Sequence, residues 1–362
     1  MRKIIQVLTD TNMGGAGMWV LNFLKCFRCN GYDILVVVPE GAELTQKVKD
    51  IGMKVCEVKG IADKSFSVSG VFRLKRLLKK EKPDLVHSHA CLSARIAAKW
   101  CGIKVVNTRH CLEEPKQGIK KKIYAYINNS LSDMFIGVSK SACQNLIDCG
   151  ADEKKVRLVY NGVFPLLKYG FEKWAEVREG YGIRPESNIV GIVARLEDVK
   201  NHKLFLDSAE LILKEEPDTV FIIAGGGSLE NELKEYAKKK GIGESVIFTG
   251  FQEDITNVMN IIDINTLTSK KEALSLSLIE GMSINIPVVA TNSGGPNEVV
   301  ADGVSGYIVE NDNPKAFADA VVELIRDPEK REKMGNEGEK ITRDLFAPET
   351  MVFNLERIYK EV

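Results

Sequence analysis

The chain has 362 residues, 44% of them hydrophobic and 28% charged, a globular composition too long for one ordinary core, so two domains are expected. No window approaches the roughly 18 uncharged apolar residues of a spanning helix, and the opening apolar run is too short for a signal peptide; a cytoplasmic chain that touches a membrane only peripherally, at its inner face, is expected. The formal net charge of zero conceals a split, because residues 1–165 carry 27 Lys and Arg against 15 Asp and Glu, and the remainder 23 against 35. The basic half suits an anionic membrane surface or a phosphorylated acceptor, and two domains that merely differ in surface charge fit as well. No nucleic-acid partner is expected.

Strand and helix signals alternate along the whole chain, the pattern of parallel sheets with crossover helices. In the first half, strands are predicted over 3–8, 33–38, 54–58, 85–89, 104–108 and 134–138. A helix over 71–80 shows an apolar stripe of Phe72, Leu74, Leu77 and Leu78. Residues 161–187 carry Pro165, Pro185 and several glycines without a strand period, and read as a linker with one helix over 172–181. The alternation restarts with strands over 188–193, 220–224, 246–249, 261–265, 287–290 and 306–309. A last helix over 348–361 lies beyond the second sheet, free to pack back on the first domain. The expected division is a domain over 1–165, a linker over 166–186, a domain over 187–346 and a helical tail over 347–362.

Open parallel sheets take ligands beyond the carboxyl ends of their strands, so the segments following the strands matter most. Asn12-Met-Gly-Gly-Ala-Gly17 joins the first strand to a helix over 18–27, and Gly14 and Gly15 let backbone approach a ligand there. It fails the G-x-G-x-x-G spacing of a dinucleotide fingerprint, and a tight turn is the plain alternative. Arg195 and Lys200 follow the first strand of the second half, a planar fork and a point charge suited to a diphosphate. Ala224-Gly-Gly-Gly-Ser-Leu229, centred on Gly226, offers backbone to a base or phosphate, and Asn292-Ser-Gly-Gly-Pro-Asn-Glu298 repeats the device at Gly294 and Gly295.

His87 and His89 end one strand and His110 ends the next. No third metal ligand stands at a convincing spacing, so no metal is expected. His110 suits a hydrogen bond to substrate, with a satisfied structural histidine as the alternative. All eight cysteines precede residue 150, and the lone pair Cys26 and Cys29 reads as buried reduced thiols before a metal site.

The segment Lys271-Glu-Ala-Leu-Ser-Leu-Ser-Leu-Ile-Glu-Gly-Met282 says most. Glu272 stands just before a helix and Glu280 one to two turns inside it. The free N–H groups of the helix start favour a phosphate, and carboxylates on either side can accept hydrogen bonds from hydroxyls. Hydroxyls, two phosphates and hydroxyls are the layout of a sugar nucleotide.

In order along the chain stand Met-Gly-Gly-Ala-Gly at 13–17, Pro-Asp-Leu-Val-His-Ser-His at 83–89, Thr-Arg-His at 108–110 and Gly-Val-Ser at 137–139. Tyr-Asn-Gly-Val at 160–163, Ala-Arg-Leu-Glu-Asp-Val-Lys-Asn at 194–201, Ala-Gly-Gly-Gly-Ser-Leu at 224–229, Phe-Thr-Gly-Phe at 248–251, the paired glutamates and Gly-Gly-Pro-Asn-Glu at 294–298 complete the series. Together they resemble the retaining glycosyltransferases of family 4. The resemblance implies the α/β GT-B fold, two facing Rossmann-like domains with a substrate cleft between them. It implies that Arg195 and Lys200 hold the donor diphosphate, helped by backbone N–H groups at Leu276 and Ser277. Glu280 would take the ribose hydroxyls, Glu272 and His110 the transferred sugar, and Gly14, Gly15 and Gly226 would approach the donor. The catalytic set is then His110, Glu272, Arg195 and Lys200.

The expected reaction moves a hexose or N-acetylhexosamine from a nucleotide-sugar, UDP-linked by preference, to a glycan or polyprenyl-linked acceptor in cell-surface polysaccharide synthesis. The family retains anomeric configuration and uses no metal or other cofactor. A sugar-nucleotide epimerase on the same fold and a non-catalytic nucleotide-sugar-binding protein are the alternatives. The chain departs from the family at Ala273 and Ser275, where Glu-Gly-Phe-Gly is usual, at Asn285 and at Ala194. Asparagine at 285 suits a left-handed helix end.

Overall fold

A computed structural model describes residues 2–27 and 31–362, so Cys29 lies outside the described residues. They form two compact units, one reaching as far as Gly162 and taking in Phe346–Val362, the other of Val163–Leu345.

The first unit is built on a parallel sheet of β1 (Arg2–Val7), β2 (Tyr32–Pro39), β3 (Lys54–Val58), β4 (Leu85–His89), β5 (Lys104–Arg109), β6 (Met134–Gly137) and β7 (Val156–Leu158). Their order is β3-β2-β1-β4-β5-β6-β7, so the direction of winding reverses between β1 and β4. Apolar runs such as Ile4-Ile5 and Val36-Val37-Val38 are fully buried because helices cover both faces. The helix Gly15–Cys26 starts inside the glycine segment, three residues before its predicted start, and sends Trp19 and Phe23 into the core. The helix Pro348–Glu361 belongs to this unit. Its Met351, Leu355, Ile358 and Tyr359 share one apolar cluster with Trp19, Phe23 and Val36. Proline at its first position costs no hydrogen bond, and Gly162 makes room for it, since a Cβ there would lie 2.5 Å from Pro348 Cα.

The second unit repeats the plan with β8 (Ile189–Val193), β9 (Val220–Ala224), β10 (Val246–Gly250), β11 (Ile264–Leu267), β12 (Val288–Thr291) and β13 (Gly306–Val309). These are parallel in the order β10-β9-β8-β11-β12-β13, with the reversal between β8 and β11. Phe205, Phe221 and Phe317 anchor the core on one face. Strand β11 begins three residues later than predicted, because Ile261 closes the helix Thr256–Ile261 instead of opening the strand.

The stretch 166–186, expected as a linker, is packed against this second unit. Leu166, Tyr169 and Trp174 line a cluster with Ile189 and Ile286, and the Leu166 and Tyr169 N–H groups donate to Ser283 Oγ (3.1 Å) and Asn260 Oδ1 (2.7 Å). Its helix runs over Phe171–Gly180, where Trp174 lies 4.4 Å beneath the Arg178 guanidinium. Its prolines and glycines set turns, while its aromatic residues bind it down. Asn285 adopts φ +67°, the left-handed conformation that asparagine tolerates.

Candidate functional site

In the second unit the winding reversal is bridged by an ion pair. Lys200, at the end of a short 3₁₀ turn after β8, meets Glu272 Oε2 on the segment after β11. Both side chains are largely buried, at 16% and 14% exposure, so the pair is shielded and held. Thr268 Oγ1 donates to the Lys200 carbonyl (2.9 Å) and Ser269 Oγ to the same Glu272 oxygen (3.3 Å). Two Lys200 donors and Glu272 Oε1 are left for a ligand. The backbone of Glu272 is clamped by Ser293 O and Gly295 N, each at 2.9 Å.

The helix Leu276–Met282 starts four residues on, capped by Ser275 Oγ, which accepts from Leu278 N–H (3.4 Å). That cap leaves the Leu276 and Ser277 N–H groups without a protein acceptor among the described residues. One turn later Glu280 is half-buried, its carboxyl finds no hydrogen-bond or ion-pair partner among them, and desolvation pushes that carboxyl up to about 7. The nine residues 272–280 thus hold the carboxylate paired with Lys200, bare N–H donors and a bare carboxyl acceptor. Arg195 is not gathered into this group. It is 68% exposed and pairs with its neighbour Glu197 Oε1 (2.7 Å), a surface contact worth under about 1 kcal/mol that a diphosphate can outbid.

The glycines of the site separate into two kinds. A Cβ on Gly225 would lie 2.0 Å from Ala194 O, one on Gly227 2.4 Å from Leu196 O, and one on Gly295 2.2 Å from Ala273 O. Protein backbone fills those spaces, so glycine is required at these positions by packing, at Gly295 against Ala273. Gly226 meets nothing nearer than Phe251 Cβ at 3.4 Å, and Gly14 and Gly15 meet nothing within 4 Å and have no left-handed backbone. Packing asks for no glycine at those three positions. Ala273 and Ser275 are themselves buried.

In the first unit the strand ends carry a stack of histidines beside Trp19. Ring centroids of His87 and His89 are 4.6 Å apart and those of His89 and His110 5.1 Å, with Trp19 5.0 Å from His89. His87 bonds Tyr359 Oη through Nδ1 (2.7 Å) and Thr108 Oγ1 through Nε2 (2.6 Å). His89 bonds His110 Nε2 through Nδ1 and Gln6 Oε1 through Nε2, each at 2.8 Å. Gln6 Nε2 donates to Tyr359 Oη (2.9 Å). Of the ring nitrogens of these three histidines, His110 Nδ1 is left buried and unpartnered, as is the neighbouring Trp19 Nε1. Burial holds His87 and His110 down to about 3 and His89 well below its ordinary value, so all three rings are neutral. Among the described residues, no three His, Cys, Asp or Glu side chains are arranged to hold a metal ion.

Gln6, Trp19 and Tyr359 were not singled out from sequence. Gln6 had a signal, being a polar residue in the middle of a buried apolar strand, where burial demands a partner. Tyr359 had none, since its partners lie more than 270 residues away.

A crystal structure of Anabaena Alr3699/HepE in complex with UDP and glucose matches over 100% of both chains, with a TM-score of 0.89 at 20% identity. The two parallel-sheet units therefore make a GT-B fold. The model for Glycosyltransferase Family 4 matches residues 13–165, and that for Glycosyl transferases group 1 matches residues 175–341. The chain belongs to this family of glycosyltransferases. Among its relatives, the putative glycosyltransferase EpsD of Bacillus subtilis is 27% identical over 74% of each chain. The UDP-Gal:alpha-D-GlcNAc-diphosphoundecaprenol alpha-1,3-galactosyltransferase of Escherichia coli is 28% identical over 72% of this chain and 71% of its own.

Proposed function

We propose that the protein is a retaining, metal-independent hexosyltransferase that moves a hexose or N-acetylhexosamine from a UDP-sugar to a glycan on a polyprenyl diphosphate, in cell-surface polysaccharide synthesis. The observation that carries this reading is the segment 272–280, with its paired Lys200, bare N–H groups and partnerless Glu280. Lys200 and the helix start take the diphosphate, Arg195 leaves Glu197 to join them, Glu280 takes the ribose and Glu272 the sugar. His110 contacts the transferred sugar from the first unit, and Gly14, Gly15 and Gly226 leave room for the donor. These cations and N–H groups meet the leaving-group charge that a metal would otherwise neutralise. Retention follows if the acceptor attacks from the face of the departing diphosphate, whose oxygen helps remove the proton. The UDP bound in the Anabaena complex and the diphosphoundecaprenol acceptor of the Escherichia coli relative support the UDP donor and the lipid-linked acceptor.

The test is a metal-free binding panel of UDP-, GDP-, ADP- and dTDP-sugars against wild type and Glu280→Ala. A UDP-sugar should bind selectively, and the variant should bind it about 10- to 100-fold more weakly, the scale of hydrogen bonds to a charged group. Equal affinity of the two proteins would remove Glu280 from the site, and isomerisation of the donor without an acceptor would make the enzyme an epimerase.

A lipid-linked acceptor calls for a membrane face, and two helices of the first unit supply its chemistry. Among the described residues no helix is long and apolar enough to cross a membrane. On the helix Gly118–Leu131, Ile119, Ile123 and Tyr126 are exposed along one face, flanked by exposed Lys120, Lys121 and Lys122. On the helix Val68–Glu81, exposed Val68 and Phe72 stand with Trp100, over which Lys75 lies at 5.0 Å. Apolar side chains rimmed by lysines suit an interface of anionic lipid. Each lysine near such a surface contributes about 1 kcal/mol, so reversing Lys120, Lys121 and Lys122 to Glu should weaken binding to anionic vesicles at least ~100-fold. Flotation with vesicles of anionic and of zwitterionic lipid reads this, and unchanged flotation of the triple variant would discard the membrane face.

A further inference from the structure

The hydrogen bonds around His89 are directional, and followed in order they fix which nitrogen of His110 carries its proton. Gln6 Nε2 can only donate, and Tyr359 Oη accepts from it. Gln6 Oε1 can only accept, so its bond to His89 Nε2 requires a hydrogen there. A neutral ring has one N–H, which leaves His89 Nδ1 as an acceptor. Its partner His110 Nε2 must then donate, and His110 Nδ1 is left as a bare lone pair. The reverse orientation of the Gln6 amide would leave a buried N–H orphaned at the same atom, a costlier defect than a buried acceptor with no partner.

We propose that Tyr359, Gln6 and His89 form a relay that holds His110 as the Nε2–H tautomer, so that Nδ1 is presented solely as a hydrogen-bond acceptor. The residues of the relay are positioning residues, since none of them needs to touch the substrate. Resting on the proposed contact between His110 and the transferred sugar, the relay sets a rule for that sugar. The group facing Nδ1 must be a hydroxyl that donates. A carboxylate or a ring oxygen at that place would set acceptor against acceptor.

The experiment is long-range proton–nitrogen NMR on protein labelled with ¹⁵N-histidine, which distinguishes a ring N–H from a bare nitrogen. It is run on wild type, Tyr359→Phe and Gln6→Met, with UDP, UDP-glucose and UDP-galactose binding measured alongside. Wild type should show His110 with Nε2 protonated and Nδ1 bare. Tyr359→Phe keeps the ring in the core but releases Gln6, so His110 should become a mixture of tautomers. The UDP-sugar should then bind three- to tenfold more weakly, about the worth of one hydrogen bond, while UDP alone is unchanged. A merely structural defect would weaken both. A protonated Nδ1 in wild type, or a tautomer that neither variant moves, overturns the relay. A tautomer that moves while UDP-sugar affinity stays constant keeps the relay and removes His110 from the sugar site. Gln6→Met gives the same readout should Tyr359→Phe fold poorly.

Discussion

On acidification from pH 7 to pH 5 the first unit should lose stability steeply while the second changes little. His87, His89 and His110 are neutral in the fold, His87 and His110 held to about 3 and His89 well below its ordinary value, whereas an unfolded chain takes up their protons near 6.5. Each therefore favours unfolding as pH falls below about 6.5, by up to about 1.4 kcal/mol per pH unit. Three together approach about 4 kcal/mol per pH unit, a large fraction of the 5–15 kcal/mol typical of a whole domain. In the second unit two groups oppose each other. His202, buried and held to about 4, acts in the same sense as the stack. Glu280, raised to about 7, binds its proton more tightly folded than unfolded, so acid favours the fold between about 7 and 4.5. Hydrogen exchange read by mass spectrometry at both pH values resolves the two units. Equal loss of protection in both would mean that the stack is solvated or charged already at neutral pH. The same Glu280 titration predicts weaker nucleotide binding below pH 7, because the protonated carboxyl loses acceptor capacity.

Lys200→Ala should reduce kcat/KM by about 10²–10³, the scale set by removing one preorganised donor from a developing anion. Two effects act together. The diphosphate loses its shielded cation, and Glu272 keeps a largely buried carboxylate whose counter-ion has gone. Glu272→Gln in the same chain relieves the second effect only. The double variant should regain thermal stability lost by Lys200→Ala while its turnover stays low. If Lys200→Ala alone retained full turnover, the ion pair would be a structural clamp, and the phosphate would have to be met by Arg195 and the helix start.

Most strands were legible because a parallel sheet covered on both faces needs uninterrupted apolar runs, and few other structures do. The edge strand β7 escaped, being three half-buried residues with no run to see. The start of β11 was misplaced because Ile261 and Ile262, β-branched and apolar like a strand, close the preceding helix, and the strand begins only after Asp263. The loops of the candidate site were visible as glycines, charges and paired glutamates after strand ends. Their internal bonding was hidden. Nothing in sequence separated Gly227, walled in by Leu196, from Gly226, which has room, or told that Lys200 answers Glu272 while Arg195 turns to Glu197. Those distinctions depend on which backbone lies opposite, and that is settled only when distant segments meet.

The first unit takes its last helix from beyond residue 345, so the whole of the second unit interrupts it. During synthesis the order of completion is therefore inverted. Residues 163–345 are contiguous and can close their sheet as soon as they emerge. The earlier-made sheet must wait, with Trp19, Phe23 and the polar edge of Gln6 uncovered, until Tyr359 arrives. A chain halted before that point would carry a finished second unit and a first unit whose apolar cluster is uncovered and whose histidine stack lacks its bond to Tyr359. The helix Pro348–Glu361 thus acts as a seal on the core of the unit whose sheet is made first.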